Sequence, residues 1–151
     1  MREIKFRGKR VDNGEWIYGY YHCLTNSNTH CIDVPMADFD NSILWHVKAK
    51  TVGQYTGLKD KDGREIFEGD IVTHNGVNLT AKMNNKVIIE FIDGAFCLKA
   101  TGQTVLCDSA ITIRDCMFEA RNYINDELKL EIIGNVHDNP ELLEERRDSN
   151  D

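Results

Sequence analysis

The chain has 151 residues, a length that fits one ordinary domain or two small subdomains. Its hydrophobic fraction of 41% argues against a disordered chain, and its formal net charge of −7 opposes tight non-specific binding to nucleic acid or anionic lipid. No segment reaches the roughly 18 apolar residues of a membrane-spanning helix, and the charged start lacks the apolar region of a secretory signal. We therefore predict a cytoplasmic protein.

The first third of the chain has the residue pattern of short strands. Ile4 and Phe6 alternate with charged residues over positions 2–7, a period of two that is typical of a half-buried strand. A turn at 12–14 follows, and further strands are predicted at 15–22, 31–34 and 43–48. Five aromatic side chains on them offer platforms for a base or a peptide, although such residues are more often core or subunit contact: Trp16, Tyr18, Tyr20, Tyr21 and Trp45.

Charge pairing selects one register for the turn near the middle of the chain. A two-residue turn at Asp62 and Gly63 would place like charges opposite each other, at a cost of about a few tenths of a kcal/mol for each pair. A three-residue loop, 61–63, with Gly63 in the left-handed conformation instead pairs Asp60 with Arg64. We therefore predict the three-residue loop.

The clearest hairpin surrounds Asp93 and Gly94, which favour a type I′ turn. The opposite faces of this hairpin differ in character, because one is apolar and the other carries Glu90, Cys97 and Lys99 and is predicted to be partly wet. The turn sets three apolar pairs on the face that we predict to be core: Phe91 with Phe96, Ile89 with Leu98, and Val87 with Ala100.

The last part of the chain combines strands with two short helices. The helix nearer the middle is expected to turn Met117 and Phe118 inward. A C-terminal helix is favoured because Asn139 can cap it and Pro140 fits its first position. The predicted elements are strands at 107–112 and 128–136, helices at 115–124 and 140–147, and a disordered tail at 148–151.

Together these elements predict a mainly β fold, α+β at most. Residues 51–147 are expected to form a small, partly open SH3-like β-barrel in the middle and C-terminal half. This barrel would pack with an N-terminal β region at 1–50 and be followed by the short C-terminal helix. The whole chain, 1–151, is expected to be a single domain composed of these parts.

Two histidine–cysteine pairs form the one cluster with the residue types of a zinc site, His22-Cys23 and His30-Cys31. Adjacent residues of a strand point to opposite faces, so all four could bind one ion only if the backbone left regular structure. The prediction is therefore packed thiols and surface histidines. Five cysteines at irregular spacing likewise indicate reduced thiols.

Acidic residues near the middle of the chain offer two further candidates for chemistry. Asp60, Asp62 and Gly63 have part of the pattern of a calcium loop, but the first and last ligand positions of that loop are not acidic here. Glu68 and Asp70 would project to one side of a strand, where paired carboxylates can do acid–base work or hold magnesium. Such a pair arises easily by chance among 25 acidic residues.

Three segments carry a resemblance to a known family. They are MREIKFR at the start, TVGQYTGLKD with the later EGDIV, and IIGNVHDNPELL near the end. In this order and spacing they resemble the YopX family of phage and prophage proteins. The resemblance implies a phage-borne, cytoplasmic protein that assembles as a homo-oligomer, and it transfers no functional residue.

The sequence therefore predicts a non-enzymatic accessory protein of the host cytoplasm that self-associates and binds a host or phage macromolecule. No cofactor, no membrane partner and no catalytic, cofactor-binding or metal residue is predicted. Three alternatives stay open: an acidic DNA mimic that inhibits a host DNA-binding protein, a nucleic-acid-binding small β-barrel, and a metal-dependent enzyme of unrecognised type. Nucleic acid is the less favoured partner and would bind the basic first strand.

Overall fold

The computed structural model describes residues 1–37, 41–75, 86–100, 110–119 and 127–144. The chain divides into two compact units, Met1–Leu58 and Lys59–Asp151. Both are built mainly from antiparallel strands. The mainly β fold class is therefore confirmed, whereas the finer SH3-like shape stays a prediction.

The strands of the first unit are β1 (Phe6–Lys9), β2 (Trp16–Leu24), β3 (Thr29–Pro35), β4 (Ser42–His46) and β5 (Gly53–Lys59), with a 3-10 turn at Ala49–Thr51. They lie in the order β4-β3-β2-β1-β5, and each neighbouring pair is antiparallel. The predicted bounds of the first strand, 2–7, were wrong, since Ile4 is exposed and precedes it. The buried residues of β1 are Arg7 and Gly8, which no apolar alternation indicates.

The end of β4 returns to the end of β1. Arg10 and Val47 form a bridge between the two, and the Val11 amide donates a hydrogen bond to the His46 carbonyl at 3.0 Å. Gly8 permits this approach, because a Cβ at its position would lie 3.0 Å from the Val47 Cβ. The apolar Val47 side chain is buried there.

A change of pairing partner occurs within β2. Its first half pairs with β1, up to Gly19 opposite Phe6, and its second half pairs with β3, from Tyr20 opposite Asp33. The two strands come so close at this point that a Cβ on Gly19 would lie 2.1 Å from the Asp33 carbonyl oxygen. Only glycine fits this position without moving the backbone.

The second unit contains β6 (Glu65–Phe67), β7 (Asp70–His74), β8 (Lys86–Ile92), β9 (Ala95–Ala100), β10 (Ala110–Thr112), helix α1 (Ile113–Glu119) and β11 (Leu130–Asn135). Five of these strands form an antiparallel sheet in the order β10-β9-β8-β7-β11. The predicted strand at 128–136 corresponds to β11. Of the predicted strand at 107–112, the part at 107–109 lies outside the described residues.

The predicted hairpin of β8 and β9 is confirmed in its turn and its register. Asp93 and Gly94 both have positive φ, 49° and 84°, and the three predicted apolar pairs are in register. The predicted core face is only partly correct, because Phe91 at the tip is 48% exposed. The opposite face is partly wet, as predicted, since the side chains of Glu90 and Lys99 are 41% and 42% exposed. Cys97 on that face is buried, and α1 packs against β9.

The three-residue loop at 61–63 is also confirmed. The Asp60 amide donates to the Arg64 carbonyl at 2.8 Å, and Gly63 has a φ of 83°. The positive φ explains why glycine closes this loop, since other residues pay a steric cost there.

The two predicted helices differ from the observed ones. Helix α1 begins two residues before the predicted start of 115, and it buries Ile113 and Cys116, whereas Met117 is half-buried. The remainder of that predicted helix, 120–124, and the side chain of Phe118 lie outside the described residues.

The C-terminal helix predicted at 140–147 is replaced in its first part by a 3-10 turn, Pro140–Leu143. Asn139 does not cap it, because its Oδ1 instead accepts a hydrogen bond from the Asn135 amide at 3.3 Å. The end of the predicted helix and the predicted tail at 148–151 lie outside the described residues.

Candidate binding surface

One face of the sheet in the first unit presents large apolar side chains to solvent. Along β2, the even-numbered residues from Tyr18 to Leu24 are exposed, as expected for a strand with one wet face, and Cys23 at the end of the strand is exposed as well. Tyr20, Asp33 and Leu44 lie opposite one another on three neighbouring strands, which places them on this same face. The members of this apolar patch and their exposed fractions are Tyr18 (46%), Tyr20 (55%), Leu24 (43%) and Leu44 (45%).

The Asp33 carboxylate lies between Tyr20 and Leu44 of the apolar patch. The side chain of Asp33 is 25% exposed, and its Oδ2 lies 3.6 Å from Nε2 of the exposed His22. Its Oδ1 is buried and accepts no hydrogen bond from the described residues. The face therefore combines exposed rings and aliphatic chains with the Asp33 carboxylate, and it also carries Arg7, which lies opposite Tyr18.

Both tryptophans among the predicted platforms are covered by cations. The Arg7 guanidinium lies 4.6 Å from the centroid of the Trp16 ring, and the Arg10 guanidinium lies 3.6 Å from that of Trp45. Arg10 also donates from Nε to the Asp12 carboxylate at 2.9 Å. Such stacking stabilises the cation and the ring together. Arg7 of the basic first strand and Arg10, just after it, thus lie on rings of the same unit that a nucleic-acid base would otherwise stack upon.

The histidine–cysteine pairs lie in regular strands. His22 is opposite Cys31, and Cys23 is opposite His30, so the two cross-strand pairs point to opposite faces of the sheet. Burial raises the pKa of the Cys31 thiol, which disfavours the thiolate that zinc requires. Over the described ranges, no group of His, Cys, Asp and Glu side chains is arranged to hold a metal ion.

Tyr21, the remaining predicted platform, is half-buried. Its hydroxyl lies 2.7 Å from Nδ1 of His30, and its ring packs at 5.5 Å from that of Phe6. Burial raises the pKa of the Tyr21 phenol. This tyrosine is part of the packing of β1, β2 and β3.

The Asp60 carboxylate organises its loop. Oδ1 accepts hydrogen bonds from the Asp62 and Arg64 amides, at 3.0 and 2.9 Å, and Oδ2 accepts from the Ile132 amide and the Arg64 Nε, at 3.3 and 2.9 Å. Burial alone would raise the pKa of Asp60, but the three amides and the Arg64 guanidinium outweigh it and hold the pKa below its usual value. The carboxylate is used structurally, to join the loop to β11.

Glu68 and Asp70, the predicted acid pair, differ in burial. Asp70 is 2% exposed, and its Oδ2 accepts a hydrogen bond from the Phe67 amide at 2.8 Å. Glu68 is half-buried in the turn, where Gly69 has a φ of 87°. Asp70 therefore fixes the turn between β6 and β7.

Sequence reasoning found Tyr18 and Tyr20 but missed Leu24 and Leu44. The period of two from Tyr18 to Leu24 was an available signal for Leu24. Leu44 could not be assigned, because residues 43–45 are all apolar and such a run does not indicate which side chains face solvent.

Fold and surface together define a mainly β protein with two antiparallel sheets, one of which has an exposed apolar face. In the part of the chain that the structure describes, no helix has the length and apolar character needed to cross a membrane.

The model of the YopX protein family matches residues 5–144. The chain therefore belongs to the YopX family, as the sequence predicted. Among solved structures it is similar to protein EF1440 from Enterococcus faecalis, with a TM-score of 0.50 and 25% sequence identity, over 95% of this chain and 100% of that chain. None of the curated proteins matches it.

Proposed function

We propose that the chain is a non-enzymatic accessory protein that self-associates and binds a host or phage macromolecule in the host cytoplasm. The observation that supports this proposal is the apolar patch, whose four large side chains are each 43% to 55% exposed. Large apolar side chains exposed on one face in this way are characteristic of interaction sites on soluble proteins.

The composition of the apolar patch indicates the chemistry of its partner. Tyrosine is enriched at protein interfaces because its ring is apolar and its hydroxyl can still hydrogen-bond. Asp33, at the centre, favours a partner that places a cation or a hydrogen-bond donor there. We therefore propose a protein partner with an apolar surface and a basic or N–H group at its middle.

The test is affinity capture from infected cells with a double variant, Tyr18→Ser with Tyr20→Ser. We expect the double variant to capture about tenfold less partner than the wild type. Truncating an aromatic side chain that anchors an interface costs about 1–2 kcal/mol. The matched control is Phe91→Ser, which removes an aromatic ring of similar exposure, 48%, from the second unit.

Thermal unfolding of both variants checks that they are folded. A partner retained equally by the wild type and the double variant would refute the apolar patch as the binding surface. A captured host DNA-binding protein that all three baits retain would instead favour the acidic decoy. A direct titration with labelled DNA at two salt concentrations separates nucleic-acid binding, which should weaken strongly with salt.

A further inference from the structure

Cations and rings lie in contact on the face that carries the apolar patch. Trp16 and Tyr20 share that face of β2, because side chains two and four positions apart in a strand point the same way. Trp16 has the Arg7 guanidinium 4.6 Å and the Lys9 ammonium 5.4 Å from its ring centroid. Tyr20 is 55% exposed, and no cation of the described residues lies over its ring. The Tyr20 ring can therefore take a cation from outside the chain.

A carboxylate with unused acceptor capacity lies beside the Tyr20 ring. Tyr20 and Asp33 are register partners on neighbouring strands, which places their Cβ atoms about 5 Å apart. Oδ1 of Asp33 accepts no hydrogen bond from the described residues, and Oδ2 lies 3.6 Å from the His22 Nε2, beyond hydrogen-bond distance. Because χ2 of an aspartate is broad, rotation of the carboxylate can turn both oxygens toward donors. The carboxylate thus favours a ligand that supplies two N–H groups.

The same unit already contains one guanidinium that serves a ring and a carboxylate together. Nε of Arg10 donates to Oδ1 of Asp12 at 2.9 Å, and Nη2 donates to Oδ2. The guanidinium also lies 3.6 Å from the centroid of the Trp45 ring. A lysine ammonium has neither the flat surface that stacks on a ring nor the fork that matches two carboxylate oxygens. A ring beside a carboxylate is therefore a site for arginine in particular.

We propose that the protein partner inserts an arginine side chain between Tyr20 and Asp33, with its guanidinium stacked on the ring and forked onto the carboxylate. This inference rests on the proposed function and names the group that the apolar patch recognises. Leu44 lies opposite Asp33 on the other side and is 45% exposed, so it can pack against the aliphatic stem of the arginine. The exposed apolar neighbours also exclude water from the ion pair, which strengthens it.

The charge of the chain agrees with a cationic partner. The formal net charge is −7, which attracts basic proteins over a distance. Arg7 is a cation on the same face, but it lies on β1, two strands from Asp33. Two strand spacings amount to roughly 10 Å, slightly more than the screening length of roughly 8 Å at physiological salt. Arg7 is also only 7% exposed, so it opposes an arginine at Asp33 weakly.

A titration with three matched peptides tests the inference. The probes are acetylated and amidated tripeptides, Leu-Arg-Leu, Leu-Lys-Leu and Leu-citrulline-Leu, added to the isotope-labelled full chain and followed by amide chemical shifts. The arginine peptide should shift the amides of residues 20, 33 and 44 and bind at least about threefold more tightly than the lysine peptide. The citrulline peptide keeps the shape without the charge and should bind about tenfold more weakly than the arginine peptide.

Two variants assign the preference to the two side chains. Asp33→Asn should bring the affinity for the arginine peptide down to that for the citrulline peptide, because the charge of the acceptor is lost. Tyr20→Leu keeps an apolar side chain but removes the ring, and it should erase the advantage of arginine over lysine. The matched control is Asp62→Asn, which removes a 59% exposed carboxylate from the second unit and should leave all three affinities unchanged. The amide spectrum of each variant shows whether it has kept the fold.

The outcomes separate this inference from the proposed function. It is overturned if the arginine and lysine peptides bind equally, if the preference survives Asp33→Asn, or if residues 20, 33 and 44 show no shifts up to about 10 mM peptide. In the capture experiment, an Asp33→Asn bait that keeps the partner while the Tyr18→Ser and Tyr20→Ser bait loses it overturns the arginine site alone. A partner that both baits keep overturns the arginine site together with the apolar patch.

Discussion

Replacing Gly19 with alanine is expected to destabilise the first unit by about 3 kcal/mol or more. The added Cβ would lie 2.1 Å from the Asp33 carbonyl oxygen and 2.9 Å from its carbonyl carbon. Both atoms belong to the backbone of the neighbouring strand, so relief requires β2 and β3 to separate. The substitution therefore disrupts the sheet where β2 changes partners.

Tryptophan fluorescence during urea unfolding measures this effect, because both tryptophans of the chain, Trp16 and Trp45, lie in the first unit. The matched control is Gly14→Asn in the same unit. Gly14 has a φ of 74° and open space around its Cβ position, and asparagine tolerates that conformation. The control should lose no more than about 1 kcal/mol. A Gly19→Ala midpoint equal to that of the control would contradict the close approach of the two strands.

Substituting Asp60 by asparagine is expected to cost the second unit about 3 kcal/mol. The Asp60 side chain is fully buried, and its two oxygens accept four hydrogen bonds. An amide has the same shape but only one acceptor oxygen, and its NH₂ group would face donors. Urea unfolding followed by circular dichroism measures the loss. The matched control is Asp62→Asn, because Asp62 is 59% exposed in the same loop and lies 3.7 Å from Arg64.

Acid should reduce the stability of the wild type more than that of the Asp60→Asn variant. The folded-state pKa of Asp60 lies below its ordinary value of 3.8, so the carboxylate contributes its full stabilisation above that value. The contribution is lost as the pH falls from about 3.8 toward the lower folded-state pKa. Midpoints recorded at neutral pH and through this acid range should converge for the two proteins, and parallel curves would contradict the role of Asp60.

The parts of the fold that the sequence predicted correctly depend on local chemistry. The loop at 61–63 and the β8–β9 hairpin follow from glycines, turn residues and the pairing of neighbours within a few positions. Charge matching across a short turn acts over the same range. Such features require no knowledge of distant segments.

The errors arose where distant segments decide the structure. Gly8 is buried by Val47, far along the chain, so the bounds of β1 could not be read from residues 2–7. Asn139 bonds to the Asn135 amide at the end of β11, and this competes with its use as a helix cap. Leu44 is exposed because β4 lies at the edge of its sheet, and a list of strands does not give their order.

The central position of β1 affects how the protein can fold during synthesis. β1 leaves the ribosome before β2 and β5, yet it lies between them, with Phe6 opposite Gly19 on one side and Gln54 on the other. In a nascent chain that ends before β5, β1 can therefore pair with β2, but its other edge has no β5 to pair with. Residues 53–54 must emerge before that edge is paired, so the sheet of the first unit is completed only late in synthesis.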